Sequence, residues 1–423
     1  MDHPDHETSI AATFRRLTPA LSRISRGKKS VYLDAPGGTQ MPQPVLDAMK
    51  RYVIRGMANR HGAFDTSIET EEILARARDQ VRALLGADGY VIVFGQNMTS
   101  LTFELATSLA RDWSPGRSRD EVVVSEIDHH ANVDPWRSVA SDRDMSLRWL
   151  PVDTERVCLD LSHLGDVITD RCAVTAVGLA SNAVGTIQDV AAIAERAHAV
   201  GGIVVVDAVH AVPHIPVDCA AMGADVLLCS AYKFFGPHVG IMAIREDLLD
   251  RIRFYKVAPA PDHGPAKAEM GSQNHEALAG LSATIDFLES LHDGATQVER
   301  LAGTMTAIAE AEAPVSAVLC DRLAALPGVR VYRAPAGHPK TPTVAFTCQG
   351  VAPEEVARRC AEQAVFVTNG DFYATTLAAR LGVSESGGWV RVGLAPYLGI
   401  AEVERAVDVI ASVSRLGTER KAG

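Results

Sequence analysis

Six short, mainly apolar runs without polar alternation, most of them followed by a stretch with helical spacing, constrain this chain more than any other feature. YVIVF (90–94) precedes TSLTFELATSLA, EVVVS (121–125) precedes a stretch reaching Ala140, and CAVTAVGLA (172–180) precedes DVAAIAERAHAV. GIVVVD (202–207), DVLLCS (225–230) and GIMAIR (240–245) follow. A strand without polar alternation needs cover on both faces, and intervening helices supply it. The pattern predicts an α/β fold with a mostly parallel sheet, which binds ligands beyond the carboxyl ends of its strands. KVAPAPDHGPAKAEMGSQNH (256–275) is rich in Pro, Gly and Ala and reads as a long loop of the kind that carries function. The helical run EALAGLSATIDFLESL comes next. After about residue 295 the order becomes helix, strand, strand, helix, with VRVYRA, TPTVAFTCQ, VFVTNG and WVRVGL as strand candidates. That suits a smaller α+β domain. The expected division is an amphipathic N-terminal segment over residues 1–30 packing with the small domain, a large domain over 31–290, and a small domain over 291–423.

The bulk properties exclude several classes of partner. A formal net charge of −11 argues against nucleic acid and acidic membranes. No apolar run reaches the roughly 18 residues of a membrane-spanning helix. The opening MDHPDHETSI lacks a secretory h-region. Seven cysteines without CxxC spacing suggest a reduced, cytoplasmic protein with neither a disulfide framework nor a zinc site.

Within that frame, LLCSAYKFFGPHVG (227–240) poses a chemical question. Lys233 directly follows an apolar strand and sits among Tyr232, Phe234 and Phe235, although an ammonium is costly to bury. Asp207 ends the preceding apolar run, so acid and amine both emerge at the ligand-binding edge. They would form either an internal ion pair or a site in which Lys233 holds an aldehyde cofactor and Asp207 keeps its ring nitrogen protonated. Pyridoxal phosphate requires that combination. GQNMTS (95–100), between strand and helix, offers an N-cap or a phosphate cradle built from Met98, Thr99 and the Thr99 hydroxyl. It is neither a P-loop nor GxGxxG.

Taken together, seven stretches resemble the class V aminotransferase superfamily of fold type I pyridoxal-phosphate enzymes, in its cysteine-desulfurase-like branch. They are YLDAPGGTQMPQPVLDAM, EIDHHANVDPW, SNAVGT, VVVDAVHAVPH, CSAYKFFGPHVG, EMGSQN and WVRVGLAPY, in the family's order over roughly residues 31–415. The resemblance implies a large domain with a mostly parallel seven-stranded sheet and a small α+β domain. It implies that Lys233 holds pyridoxal 5′-phosphate and then moves the α-proton, that Asp207 pairs with the pyridine nitrogen, and that His129 stacks on the ring. Asn182 and His210 would contact the ring's phenolate oxygen. Ser230, Met98 and Thr99 would bind the phosphate, and Tyr232 stands where desulfurases usually have a cofactor-binding His. Arg391 would clamp the substrate carboxylate, with Gly37 beside the substrate. Ser272 matches a position that reaches the neighbouring subunit's phosphate, which implies a homodimer with composite sites.

One departure bears on the reaction. Desulfurases carry a nucleophilic Cys shortly before the Arg motif. Here NGDFYATTLAARLG puts Tyr373 in that place, and a phenol has no sulfur with which to form a persulfide. Tyr373 would donate a proton, orient a substrate group or simply fill the space. β-Elimination from cysteine or an S-substituted cysteine ranks first. Transamination, epimerisation and decarboxylation-coupled oxidative deamination of an amino acid are the alternatives. A non-catalytic cofactor-binding regulator, or a metal enzyme using Asp128, His129 and His130, would be a different class; DHH without a further ligand pair makes a poor metal site.

Overall fold

The computed structural model describes residues 9–113 and 116–422. Residues 1–8 of the expected N-terminal segment lie outside the described residues. Seven strands form the main sheet: β1 (Tyr90–Gly95), β2 (Glu121–Ser125), β3 (Ser146–Leu150), β4 (Cys172–Gly178), β5 (Ile203–Asp207), β6 (Val226–Ser230) and β7 (Gly240–Arg245). Their order is β1-β7-β6-β5-β4-β2-β3. All neighbours are parallel except at β7, which runs antiparallel to both β1 and β6. The connection 231–239 explains the reversal, because a parallel crossover needs a dozen or more residues. The six apolar runs are all strands. The seventh, β3, is an edge strand that is exposed or half-buried except at Leu150, so it carries no apolar signature.

Alternate strand residues supply two cores. Val93, Val122, Val124, Val205, Leu228 and Met242 pack under helices α4 (Met98–Leu109) and α5 (Asp134–Asp142). On the other face, Phe94, Val123, Val204, Val206, Leu227 and Ile241 meet α3 (Asp65–Leu84), α6 (Val190–Ala199) and α7 (His275–Glu289). The remaining long helices are α1 (Ser9–Leu17), α2 (Gln43–Arg55), α8 (Gln297–Ala324), α9 (Pro353–Glu362) and α10 (Ile400–Ala422).

The C-terminal sheet is antiparallel, with β8 (Val329–Tyr332), β9 (Thr343–Cys348), β10 (Thr368–Gly370) and β11 (Trp389–Gly393) in the order β8-β9-β11-β10. VFVTNG divides between two partners: Val365–Phe366 pairs in parallel with Val31–Tyr32, while β10 joins β11. Asp34 then bridges to Gly393, so the chain just before the first site glycine is sewn into the small lobe. Helix α1 touches both lobes. Its Phe14 ring lies tilted at 4.6 Å from Phe235 and edge-on at 5.0 Å from Phe287, and Arg15 reaches the Tyr397 carbonyl and Glu402. The Pro/Gly-rich segment is a loop with one tight turn at Pro265–Lys267, anchored where buried Lys267 donates to the carbonyls of Leu249 and Asp250.

Candidate active site

The carboxyl ends of β1, β4, β5 and β6 and the start of β7 open on one cavity of about 880 Å³, closed from the other side by residues 34–37 and by the 368–373 and Arg391 region of the small lobe. Its position is the one expected for an open α/β sheet. The β1–α4 turn forms one end. Asn97 caps α4 by accepting from Ser100 N–H at 2.9 Å, which leaves the first-turn N–H groups pointing out of the helix. Met98 N–H donates to Ser230 Oγ at 2.9 Å, tying this turn to the end of β6, and Thr99 lines the same wall. β7 starts so close that a Cβ on Gly240 would lie 2.6 Å from the Asn97 carbonyl oxygen. Only glycine fits there.

Lys233 closes a single turn after β6. The aromatics around it have separate tasks. Phe234 and Phe235 are fully buried in the core, and Phe235 accepts a left-handed backbone (φ 71°) to get there. Tyr232 stays in the cavity wall, with the Lys233 ammonium 4.7 Å from its ring centre and His238 stacked on it at 4.5 Å. Lys233 Nζ donates to the Pro36 carbonyl. Burial, with Arg391 nearby, lowers its pKa to about 8, so a useful fraction of the amine is neutral near physiological pH.

Asp207 is the last residue of β5, and its Oδ1 accepts the Val209 N–H at 2.9 Å. Burial raises its pKa to about 6. Such a carboxylate lacks a buried cationic partner of sufficient strength, and a protonated pyridine would provide one. Asp128 lines the same cavity and accepts from Asn132 Nδ2 (3.0 Å) and Gly178 N–H (2.8 Å). Its pKa is pushed to about 7, mainly by burial and further by the charge of Asp207.

His129 is buried against the cavity, and burial together with Lys233 lowers its pKa to about 4, so the ring is neutral. Its Nδ1 accepts the Ala131 N–H at 2.9 Å, which puts the proton on Nε2. A neutral ring suits stacking. His130 turns away to Asp134 and Thr376, so the DHH stretch does not converge. Among the described residues no group of three or more His, Cys, Asp or Glu is placed to hold a metal.

His210 lines the cavity while its Nε2 meets Thr341 Oγ1 (2.9 Å) and Thr343 Oγ1 (3.1 Å) from the segment leading into β9. Asn182 gives its amide nitrogen to the Phe372 carbonyl at 2.9 Å, and its Oδ1 is buried without a partner. The amide nitrogen carries a second N–H, which is the donor it would present to a phenolate oxygen. Arg391 is 5% exposed and already engaged: Nη1 donates to the Asn182 carbonyl (3.0 Å), Nη2 to Asp34 (2.9 Å), and its Nε is a buried orphan. Gly37 lines the cavity, where a Cβ would strike the Asp34 carboxylate. Tyr373 stands at the mouth with its ring 5.2 Å from that of His129.

Ser272 alone among the expected site residues lies elsewhere. It is exposed and lines a second cavity with Gln96, Phe103, Glu104 and Met270, which adjoins the first at His238. Sequence reading did not single out Asp34, Thr341, Thr343 or Phe372. Asp34 in YLDAP was the accessible clue, since an acid inside an otherwise apolar strand start calls for a cation.

The residues fit pyridoxal phosphate: a buried amine of lowered pKa, an uncompensated buried acid across from it, orphaned polar atoms on Asn182 and Arg391, and a glycine-permitted helix N-terminus. The family model described as Aminotransferase class-V matches residues 31–406, and the chain belongs to that family. It is a pyridoxal-phosphate-dependent enzyme with the fold type I architecture. Similar curated proteins include a probable cysteine desulfurase of Pseudomonas putida, 32% identical over 93% of this chain and 95% of its own, and one of Streptomyces coelicolor, 30% identical over 93% and 94%. Among solved structures, the apo cysteine desulfurase of Thermococcus onnurineus has 25% identity and a TM-score of 0.84, covering 98% of this chain and 99% of that one. A cysteine desulfurase of Escherichia coli has 27% identity and a TM-score of 0.81 over 96% and 98%.

Proposed function

We propose that this enzyme is a C–S β-lyase that acts on cysteine or an S-substituted cysteine without passing through a protein persulfide. The observation that carries the reading is the composition of the cavity: all seven cysteines are buried, none lines it, and Tyr373 stands at its mouth. The overall conversion would be an S-substituted cysteine plus water to a thiol, pyruvate and ammonium. The bond that breaks is Cβ–S, and the thiol leaves with a proton.

Bound pyridoxal phosphate supplies the electron sink that makes an amino-acid α-C–H bond acidic. The chain's part is binding and proton handling. Lys233 Nζ anchors the cofactor aldehyde and afterwards, as a free amine, takes the α-proton. Asp207 holds the ring nitrogen cationic, and the neutral His129 covers the ring face. Met98, Thr99, Ser230 and Tyr232 enclose the phosphate. His210 is fixed by two Thr hydroxyls and borders the ring oxygen with Asn182. Arg391, held by Asp34, meets the substrate carboxylate beside Gly37.

The Arg391–Asp34 pair makes Arg391→Lys informative. A lysine retains the charge but not the fork. The expected result is a KM for the amino acid raised about tenfold or more, with kcat changed much less, measured by steady-state kinetics. An unaltered KM would remove Arg391 from the carboxylate site.

We further propose a homodimer. Val53, Ile54, Met57, Phe103, Val257 and Met270 are exposed apolar side chains. A second copy would cover side chains of this kind, among them Phe103 and Met270 beside Ser272, and bring its Ser272 to the phosphate end, where His238 joins the two cavities.

The lyase reading is tested by incubating holoenzyme with cysteine and S-alkylcysteines, with and without a keto acid. Pyruvate and free thiol in equal amounts, independent of the keto acid, are expected. Turnover that requires a keto acid, or that consumes oxygen and releases CO₂, would replace it with transamination or oxidative decarboxylation.

A further inference from the structure

The turn at the cavity mouth is built in an unusual way. Phe372 and Tyr373 are consecutive aromatic residues in the left-handed region, with φ of 56° and 58°. Such a backbone is costly for a bulky residue and persists only where the surroundings hold it. Here they do. The Phe372 carbonyl accepts from Asn182 Nδ2 at 2.9 Å, the Tyr373 carbonyl from His130 N–H at 2.7 Å, and Tyr373 N–H donates to Asp371 Oδ1 at 3.0 Å. Asp371 Oδ2 is held in turn by the Thr375 hydroxyl at 2.7 Å.

This clamping fixes two rings of unlike burial: Phe372 is half-buried and packs against the core, whereas Tyr373 is left exposed. The Phe372 ring lies 4.0 Å from the Arg391 guanidinium. The Tyr373 ring is 70% exposed, against the cavity and the His129 ring. An aromatic left that open contributes little to the core, so its fixed position has to be explained by what it faces. Both rings line the cavity beside Arg391 and Lys233, so an amino acid with its carboxylate at Arg391 and its α-carbon at Lys233 would meet them with its side chain. A cavity of about 880 Å³ lies in the upper part of the range for drug-sized ligands, leaving space beyond the cofactor and a bare cysteine.

We propose that Phe372 and Tyr373 form an aromatic wall that selects substrates bearing an apolar or aromatic group beyond the β-position, an S-alkyl- or S-arylmethylcysteine in preference to free cysteine. The side-chain class rests on the lyase reading only for the identity of the leaving atom; selection by the wall does not depend on the bond that breaks.

The experiment uses holoenzyme and reads binding from the change in cofactor absorbance. The probes are cysteine, S-methylcysteine, S-benzylcysteine and 2-amino-5-phenylpentanoate, in which a methylene replaces sulfur and elimination is impossible. The benzyl and phenylpentyl compounds are expected to bind most tightly. Tyr373→Ala should weaken them by about tenfold relative to S-methylcysteine, while Tyr373→Phe, which retains the ring, should leave the order intact. Tightest binding of free cysteine by the wild type, an undiminished preference in Tyr373→Ala, or its loss in Tyr373→Phe would each overturn the wall. Failure of the lyase reading would show instead as tight binding of S-benzylcysteine with no thiol released.

Discussion

Replacing Lys233 by Ala is expected to lower turnover by at least about a thousandfold, within the range for a positioned proton-transfer group and with the loss of covalent anchoring in addition. The ammonium has few ties to the fold. It donates to one carbonyl, that of Pro36, and lies over Tyr232, so its removal also relieves a costly burial. The variant should therefore fold with a melting temperature close to that of the wild-type apoenzyme. It should still bind the phosphate end of the cofactor and lack the absorbance of the covalently held form. In the wild type, the rate of covalent cofactor capture should rise with pH and level off above about 8, because the neutral amine is the nucleophile and burial sets its pKa near that value. Retained turnover in Lys233→Ala would remove the residue from the chemistry.

Asp207→Asn tests the role proposed for that carboxylate apart from the consequence of its burial. Asn cannot carry the charge that keeps a pyridine nitrogen protonated, so turnover on every substrate should fall by about a hundredfold or more. The stability effect runs the other way in the apoenzyme. Burial raises the folded-state pKa of Asp207 to about 6 from an ordinary value of 3.8. A group with a raised folded pKa contributes stability that is present below the unfolded value and lost as pH climbs through the folded one. Wild-type apoenzyme thus loses on the order of 3 kcal/mol between about pH 4 and pH 6 on account of this residue. The Asn variant does not, so above pH 6 its apoenzyme should melt at a higher temperature than the wild type, with the difference vanishing toward pH 4. Adding cofactor should stabilise the wild type more than the variant. A variant apoenzyme that melts lower across the whole range would place a permanent cation beside Asp207 and contradict the assignment.

Much of this arrangement was legible in the sequence because burial on both faces leaves a plain record. The six apolar runs are strands, and Asp207, Ser230 and Lys233 stand where such runs end. Arg391 was visible as a cation inside an apolar strand. Features that depend on partners distant in the chain were not legible. β3 lies at an edge with Arg148 bonded to Glu121, so its strand character comes from pairing and not from composition. VFVTNG reads as one strand, yet it divides because Val31–Tyr32 and β11 each claim half of it. The two ends of the Asp34–Arg391 pair lie near opposite ends of the chain. Thr341 and Thr343 look like the lead into a strand until β9 brings them against His210. The left-handed turn at Phe372 and Tyr373 has no glycine to announce it; it exists because Asn182 and His130 take its carbonyls.

Everything proposed for the site requires that Lys233 hold the cofactor. The direct test is to reduce the holoenzyme with borohydride, digest it, and locate the phosphopyridoxyl group by peptide mass. The group should be on Lys233, in near-stoichiometric yield, and absent when the cofactor is omitted. Finding it on another lysine, such as Lys267 or Lys340, or on none while the enzyme remains active, would contradict the account.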